Sequence, residues 1–365
     1  MGSETIRRIA QIVSATVVSN PAYAEADIDF LWHAGEPLSL PVKFYMEAFE
    51  NIASNMPSDV KVTHVFQTNA TLITQEWCDF IKKYNVRIGV SIDGPEHIHD
   101  AQRVYASGKG TFHKVMEGIR RLQDNDIDFG VICVLTKNSL KYPDDIWNFF
   151  VQNKMFRLGF NSEEVEGAHK TTSLADKEVY GLWENFFKRI LELKSVSKEK
   201  VSVRELDPIL SFVSGKGKHT SGRQETTPLR IVTFDHEGNV TTFSPELLTA
   251  FHKDYGTFIL GNVNTLSNLN DIESNPKFLR MKEEIHKGVE ACRDTCEYFD
   301  VCKGGAPSNK LAENSTFNST ETLYCLLRTK CISNVVMDFL EKPSSIAALK
   351  RQESVKSNAK LKMVL

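Results

Sequence analysis

From residue 3 to residue 194 the spacing of apolar side chains switches repeatedly between a helical and an extended period. Residues 3–18 predict a helix, and Ile28 to Trp32 a short apolar strand. Residues 41–54 place Phe44, Ala48, Ile52 and Ala53 at helical spacing. The series continues with a strand from Val60 to Phe66, a helix over 74–83 and a strand from Val86 to Ile92. A stripe of Val115, Ile119 and Leu122 predicts a helix over 111–124. A strand from Phe129 to Leu135, a helix over 143–153, a strand from Phe156 to Phe160 and a longer helix over 174–194 follow. Strands separated by helices of this length imply parallel βαβ units and an α/β fold.

Ligand chemistry in such folds sits at the C-terminal ends of the strands. Polar clusters fall there: His33-Ala34-Gly35-Glu36-Pro37, Gln67-Thr68-Asn69, Ser91-Ile92-Asp93-Gly94-Pro95 and Asn161-Ser162-Glu163-Glu164. Four strand ends so equipped favour one shared active-site mouth. The alternation opens on a helix, so the sheet is expected to lack a first strand. Residues 211–228 turn rich in Ser, Gly, Lys and Thr and read as a linker or loop. Beyond them, Ile231 to Phe234 and Asn239 to Phe243 flank Glu237-Gly238 as a hairpin. The expected division is a first unit over 1–210, a linker over 211–230, a second unit over 231–342 and a tail over 343–365.

Composition narrows the class. The chain has 44 basic and 47 acidic residues, a net charge of -3, 25% charged and 41% hydrophobic residues, all ordinary globular values. Nothing there points to nucleic acid or a membrane surface as partner. No apolar run approaches the ~18 residues of a membrane span. The start, Met1 to Arg8, is polar and unlike a signal peptide, so the cytoplasm is the expected location. The seven cysteines are an odd number, which argues against a disulfide framework. Cys78 and Cys133 stand alone and read as core residues, whereas Cys292, Cys296, Cys302, Cys325 and Cys331 crowd the C-terminal part.

Cys292-x3-Cys296-x5-Cys302, with Cys325 further on, has metal-ligand spacing. Four thiolates suit zinc or an iron–sulfur cluster, and gaps of three and five residues favour the cluster. Cys331 is a fifth cysteine and reads as spare.

Taken in order, these motifs resemble a known family. Trp32-His33-Ala34-Gly35-Glu36-Pro37 resembles the Gly-Gly-Glu-Pro motif of radical S-adenosylmethionine (SAM) enzymes, and Gln67-Thr68-Asn69-Ala70 their Gln-Thr-Asn-Gly segment. Ser91 to Pro95, Ile98-His99-Asp100, Arg103 and Gly108 to Phe112 are similar to the segment that follows in sulfatase-maturase-like members. The C-terminal cysteines with Gly304-Gly305-Ala306-Pro307-Ser308-Asn309-Lys310 resemble a SPASM domain, which carries auxiliary [4Fe–4S] clusters. Thr242 to Leu248 and Thr320-Glu321-Thr322-Leu323-Tyr324-Cys325 are similar to cyclophane-forming maturases of glycine-rich-repeat peptides. The implied fold is a partial (β/α)6 TIM-like radical SAM barrel lacking its first strand, followed by a SPASM domain.

The resemblance also implies site roles. The backbone of Ala34, Gly35 and Glu36 would hold the SAM amino group, with Gln67, Ser91 and Arg103 on its ribose or carboxylate. Cys292, Cys296, Cys302 and Cys325 would ligate an auxiliary [4Fe–4S] cluster. Asn161, Glu163 and Glu164 would meet a precursor peptide, Asp235 would accept a proton, and a flavodoxin or ferredoxin would supply electrons. One feature departs from the family. The Cys-x3-Cys-x2-Cys motif that holds the catalytic [4Fe–4S] cluster occurs nowhere in these 365 residues. Truncation of the N-terminus is the expected account, with restoration of the catalytic cluster if that segment is restored. The alternatives are a non-catalytic SAM-fold module with one cluster, a formylglycine-forming enzyme and a zinc-stapled scaffold. Residues 231–262 contain no cysteine, which favours one auxiliary cluster over two.

Overall fold

The computed structural model describes residues 1–20, 23, 27–33, 35–164, 171–176, 178–215 and 223–342. After helix α1 (Ser3–Ser19) come strand β1 (Ile28–Trp32), α2 (Val42–Asn55), β2 (Val62–Thr68), α3 (Gln75–Tyr84) and β3 (Arg87–Ser91). Then follow α4 (Glu96–His99), α5 (Phe112–Asp124), β4 (Phe129–Leu135), α6 (Pro143–Gln152), β5 (Arg157–Ser162), α7 (Val179–Val196), β6 (Ser202–Val203) and α8 (Asp207–Val213). The six strands form one parallel sheet whose spatial order is the chain order. Every strand therefore ends at the same rim of the sheet.

All five expected strands are present. The sixth, β6, is two residues long and too short for any periodicity. It is defined by two backbone bonds, Ser202 N–H to Phe156 O (2.7 Å) and Arg204 N–H to Leu158 O (2.9 Å). Helix 174–194 splits into a 3-10 turn, Ser173–Ala175, and α7, which starts at Val179.

Local chemistry fixes the elements. Thr74 caps α3 through the Trp77 N–H, and Asn85 ends it in the left-handed region at φ 49°. On β4 buried and half-buried residues alternate. Between α2, α3 and β2, Tyr45, Phe49, Phe66, Trp77 and Phe80 form an aromatic core. His64 stacks on Phe49 at 3.5 Å, and burial pushes its pKa down to about 4. At Gly118 on α5, a Cβ would lie 2.1 Å from the Ala70 carbonyl oxygen, so this helix touches the turn after β2 backbone to backbone.

The C-terminal part carries a three-stranded antiparallel sheet of β7 (Val232–Phe234), β8 (Asn239–Thr242) and, after a small hairpin of β9 (Phe251–His252) and β10 (Gly256–Thr257), β11 (Gly261–Asn262). Helices α9 (Pro276–Thr295), α10 (Phe299–Cys302), α11 (Pro307–Asn314) and α12 (Leu323–Cys325) follow, then a π-helical segment, Leu326–Cys331, and α13 (Ile332–Leu340). The packing cuts across the expected division at both ends. Ile9 and Ile12 of α1 belong to the second core with Val240, Phe243, Phe278 and Phe317. Leu327, Cys331, Ile332, Val335, Val336 and Phe339 belong to the first core, against the parallel sheet and its helices. The linker expected over 211–230 is only partly described: α8 reaches Val213, and residues 216–222 lie outside the described residues, as does the tail from 343.

The glycine contacts give a paired test by chemical denaturation. Gly118→Ala is expected to lose about 1–3 kcal/mol through overpacking. Gly181→Ala, on exposed α7 with no neighbour within 4 Å, is expected to gain up to about 1 kcal/mol from helix propensity. Equal midpoints for the two variants would contradict the close α5 contact.

Candidate functional site

The turn after β1 is built around Glu36. Its Oε1 accepts from the Leu38 N–H (3.0 Å) and the Thr68 hydroxyl (2.6 Å), and its Oε2 from the Asn69 N–H (2.7 Å). The carboxylate thus ties the first strand-end turn to the second. Any ligand contact at this turn falls to main-chain groups, among them those of Gly35 at φ +70°. Ala34 lies outside the described residues.

Gln67 and Ser91 meet across β2 and β3, with Gln67 Nε2 donating to Ser91 Oγ at 3.0 Å. Gly89 pairs with Gln67 in register, and a Cβ there would stand 2.1 Å from Gln67 Oε1. Glycine at 89 is what lets the amide lie over the sheet. Arg103 Nε and Nη2 donate to Asp93 at 2.6 and 3.2 Å. Asp93 is buried and also accepts from the Val134 N–H at 2.9 Å. Buried His99 accepts from the Asp93 N–H through Nδ1 and shares a 2.9 Å bond with Thr111 Oγ1, whose hydroxyl donates to the Arg103 carbonyl. Burial pushes His99 below its ordinary pKa, which keeps it neutral in this chain of bonds. The fork of Arg103 is therefore closed on an internal carboxylate, and only its outer edge can face a ligand.

The residues expected to meet substrate are engaged with the protein. Asn161 Oδ1 accepts from Arg204 Nη2 at 2.5 Å. Glu163 accepts from the Thr172 hydroxyl and the Ser173 N–H, and Glu164 from Asn309 Nδ2 at 2.8 Å. Asp235 accepts from the Glu237 and Asn239 N–H groups, each at 2.9 Å, within its own turn. Burial raises its pKa, but the bonds from Asn239 and Glu237 outweigh that and hold it below its ordinary value. A carboxylate held in this way closes the turn between β7 and β8.

Cys292 lies in the last turn of α9, and Cys296 caps that helix through its N–H to the Cys292 carbonyl (3.0 Å). Cys302 ends α10 and is followed by three left-handed residues, Lys303, Gly304 and Gly305. Cys302 and Cys325 share a side-chain hydrogen bond, which lowers the pKa of Cys302 and raises that of Cys325. Arg223, the Thr329 hydroxyl and the Gly305 N–H also favour the Cys302 thiolate. Cys292 interacts electrostatically with Cys302 and Cys296; burial raises its pKa while Lys310 opposes the rise. Cys331 turns away into the first core against Tyr180, and burial pushes its pKa up to about 12. Cys78 and Cys133 are buried core residues, as their isolation implied.

Among the described residues no three His, Cys, Asp or Glu side chains converge closely enough for one metal ion. That disfavours zinc, whose ligands must meet at a point. A four-iron cluster takes one thiolate at each iron, so its ligands surround a volume, and the donor chemistry here suits it. No comparable set exists for a second cluster, because residues 1–77 contain no cysteine.

Sequence reasoning missed Asp93, Glu205, Arg223, Lys310 and Arg328. Glu205 has a fully buried side chain that accepts from Arg204 Nε (2.8 Å) and the Phe160 N–H (2.9 Å) and pairs with Arg328 (3.1 Å). Asp93 and Lys310 stood inside quoted motifs. Glu205 and Arg328 left no local signal. A polar cavity of about 370 Å³ lined by residues including His252, Tyr255, Arg280 and Glu284 shares no residue with either cluster.

No described helix is long and apolar enough to cross a membrane. Residues 23–150 match the model of the radical SAM superfamily. A protein of Synechocystis, sll1766, is 40% identical over 89% of this chain and 82% of its own. The serine-type anaerobic sulfatase-maturating enzyme of Bacteroides thetaiotaomicron is 27% identical over 86% of this chain and 77% of its own. Among solved structures, native anSMEcpe with bound AdoMet superposes with a TM-score of 0.74 at 20% identity, covering 98% of this chain and 91% of that one. Streptococcus suis SuiB bound to precursor peptide SuiA gives 0.55 at 14% identity, covering 88% and 69%. The strand-end motifs, the sheet and these likenesses agree: the chain carries a radical SAM domain, belongs to one family with the Synechocystis protein and is homologous to the anaerobic sulfatase-maturating enzymes.

Proposed function

We propose that this chain is the SAM- and peptide-binding body, with one auxiliary [4Fe–4S] cluster, of a maturase that forms a carbon–carbon cyclophane crosslink in a ribosomally made precursor peptide. A maturase-type function follows from the homology. The crosslink rests on the single group of four cysteines, the lack of cysteine over 231–262, and the Glu321-Thr322-Leu323-Tyr324-Cys325 segment. The sulfatase-maturating relatives support a second reading, formylglycine formation, equally well by descent.

In this reading main-chain groups at Gly35 and Glu36 receive the SAM amino group, and Gln67 and Ser91 its ribose. Arg103, oriented by Asp93, offers its outer edge to the carboxylate. Asn161, Glu163 and Glu164, held by Arg204, Thr172 and Asn309, form the peptide-facing rim. The auxiliary cluster, when bound, supplies one-electron transfer, with a flavodoxin or ferredoxin as donor in the cytoplasm. Radical SAM chemistry also needs three thiolates for a catalytic cluster. These 365 residues hold no Cys-x3-Cys-x2-Cys set.

Three tests follow. Anaerobic reconstitution of the 365-residue chain should give about four irons and no zinc, with SAM bound and no 5′-deoxyadenosine released. About eight irons, or cleavage of SAM, would show a second cluster with other ligands, and zinc alone would remove the redox reading. Calorimetric titration of SAM should show about tenfold weaker binding for Asp93→Asn, roughly one lost charge-assisted bond. Unchanged affinity would remove Asp93 and Arg103 from the SAM site. Peptide from the native host, with and without the gene, separates the two activities. A crosslink and a serine-derived formylglycine both remove a pair of hydrogens, so mass alone is ambiguous. Only formylglycine reacts with an aldehyde probe, and only the crosslink suppresses backbone fragmentation between the joined residues.

A further inference from the structure

We infer that Lys310 sets the reduction potential of the C-terminal cysteine centre, acting as a buried cation on Cys292; this rests on reading that centre as a [4Fe–4S] cluster. Lys310 is 3% exposed on α11. Its Nζ donates to the Gly288 carbonyl at 2.9 Å and to Cys292 Sγ at 3.5 Å. A Cβ at residue 288 would stand 3.1 Å from Nζ and 2.4 Å from the Phe317 carbonyl, so glycine there is what admits the ammonium.

An ammonium taken out of water needs an anion or several acceptors beside it. Among the described residues no carboxylate lies within ion-pair distance of Lys310. The anionic partner that the geometry offers is the Cys292 sulfur. The other cations near the cysteines differ on this point. Arg223, close to Cys302, pairs with Glu225 at 3.1 Å, and Lys330, close to Cys296 and Cys325, pairs with Glu321. Both are also more exposed, at 22% and 25% of the side chain. Their fields are compensated by a paired carboxylate, whereas the charge on Lys310 is spent on the sulfur.

The couple is a one-electron one. The oxidised cluster takes an electron from the reductant, no bond forms or breaks, and Lys310 stays an ammonium throughout. Reduction adds negative charge to the cluster, and a fixed positive charge in a low-dielectric site favours the reduced form. Lys310 therefore raises the potential at which this centre accepts an electron.

The test is anaerobic potentiometric titration with electron paramagnetic resonance, on wild type, K310Q and K310R, after iron and sulfide have been measured in each. K310Q with wild-type iron should show a reduced-to-oxidised ratio about tenfold lower at a fixed potential, a midpoint about 59 mV more negative for a one-electron couple. K310R should stay near wild type. An unmoved midpoint in iron-replete K310Q overturns the inference and leaves the cluster reading standing. No iron in wild type overturns the cluster reading and this inference with it. If K310Q cannot hold iron, a wild-type midpoint in K310R supports the role of charge, and loss of iron from both variants overturns it.

Discussion

A buried carboxylate holds the two parts of this molecule in register. Glu205 lies just past β6 with no exposed side-chain surface, and it takes bonds from Arg204, Arg328 and the Phe160 N–H. Arg328 belongs to the π-helical segment directly after Cys325. Through one carboxylate the end of β5, the end of β6 and the start of the last helical run are fixed together. Burying a charge is costly, and two guanidinium groups roughly offset the cost without a large surplus. What the arrangement supplies is geometry. Helix α11 adds a second tie: Asn309 reaches Glu164 at the rim, Lys310 reaches Cys292, and Glu313 accepts from the Leu323 and Tyr324 N–H groups beside Cys325. The rim of the sheet and the cysteine loops are thus parts of one bonded network.

This network explains what the sequence could and could not disclose. Elements whose apolar residues face one core carry their own periodicity, and β1 to β5, α1 to α3, α5 and α6 were legible for that reason, whereas the single turn of α4 was not. Strand β6 was not, since two residues have no period and the pairing comes from tertiary contact with β5. The double role of α1 was also hidden. Ile6 and Ala10 face one core while Ile9 and Ile12 face the other, so a single amphipathic stripe is an incomplete description. At the site, the polar strand ends were legible as positions. Their bonding was not, because Glu36, Asn161 and Glu164 find partners 32 to 145 residues away. Asp235 is the opposite case: its partners are two and four residues away, within its own turn. Cys325 was read with the ligand set and Cys331 as spare, and the side chains point the same way, Cys325 to Cys302 and Cys331 to Tyr180.

Space at the rim is governed by the smallest residues. Gly89 makes room for Gln67, and Gly118 lets α5 touch the turn at Ala70. Ala70 itself sits at φ 62°, in the left-handed region that favours glycine. A left-handed alanine costs about 1–2 kcal/mol. Its fully buried methyl returns about 0.8 kcal/mol. The turn is held in that conformation by its neighbours: Thr68 Oγ1 accepts from the Ala70 N–H, and Asn69 Oδ1 from the Thr71 N–H and hydroxyl. Residual strain at such a turn, kept by surrounding bonds, is what fixes the orientation of Asn69 beside Glu36.

Charge is distributed with the same economy. At the strand ends Arg103 is neutralised by Asp93, whereas Glu36, Glu163 and Glu164 accept from uncharged N–H and hydroxyl donors. Around the cysteines Arg223, Lys310, Arg328 and Lys330 outnumber nearby carboxylates that point at the sulfurs, because Glu205, Glu225 and Glu321 are each committed to an arginine or lysine. Thiolates brought together repel one another, and Lys310, which donates to Cys292 Sγ, is the cation without a carboxylate partner among the described residues. The Cys302–Cys325 hydrogen bond acts unequally on the two sulfurs, lowering the pKa of Cys302 and raising that of Cys325. Lys310 and Arg223 thus each favour a thiolate at the sulfur they face, Cys292 and Cys302.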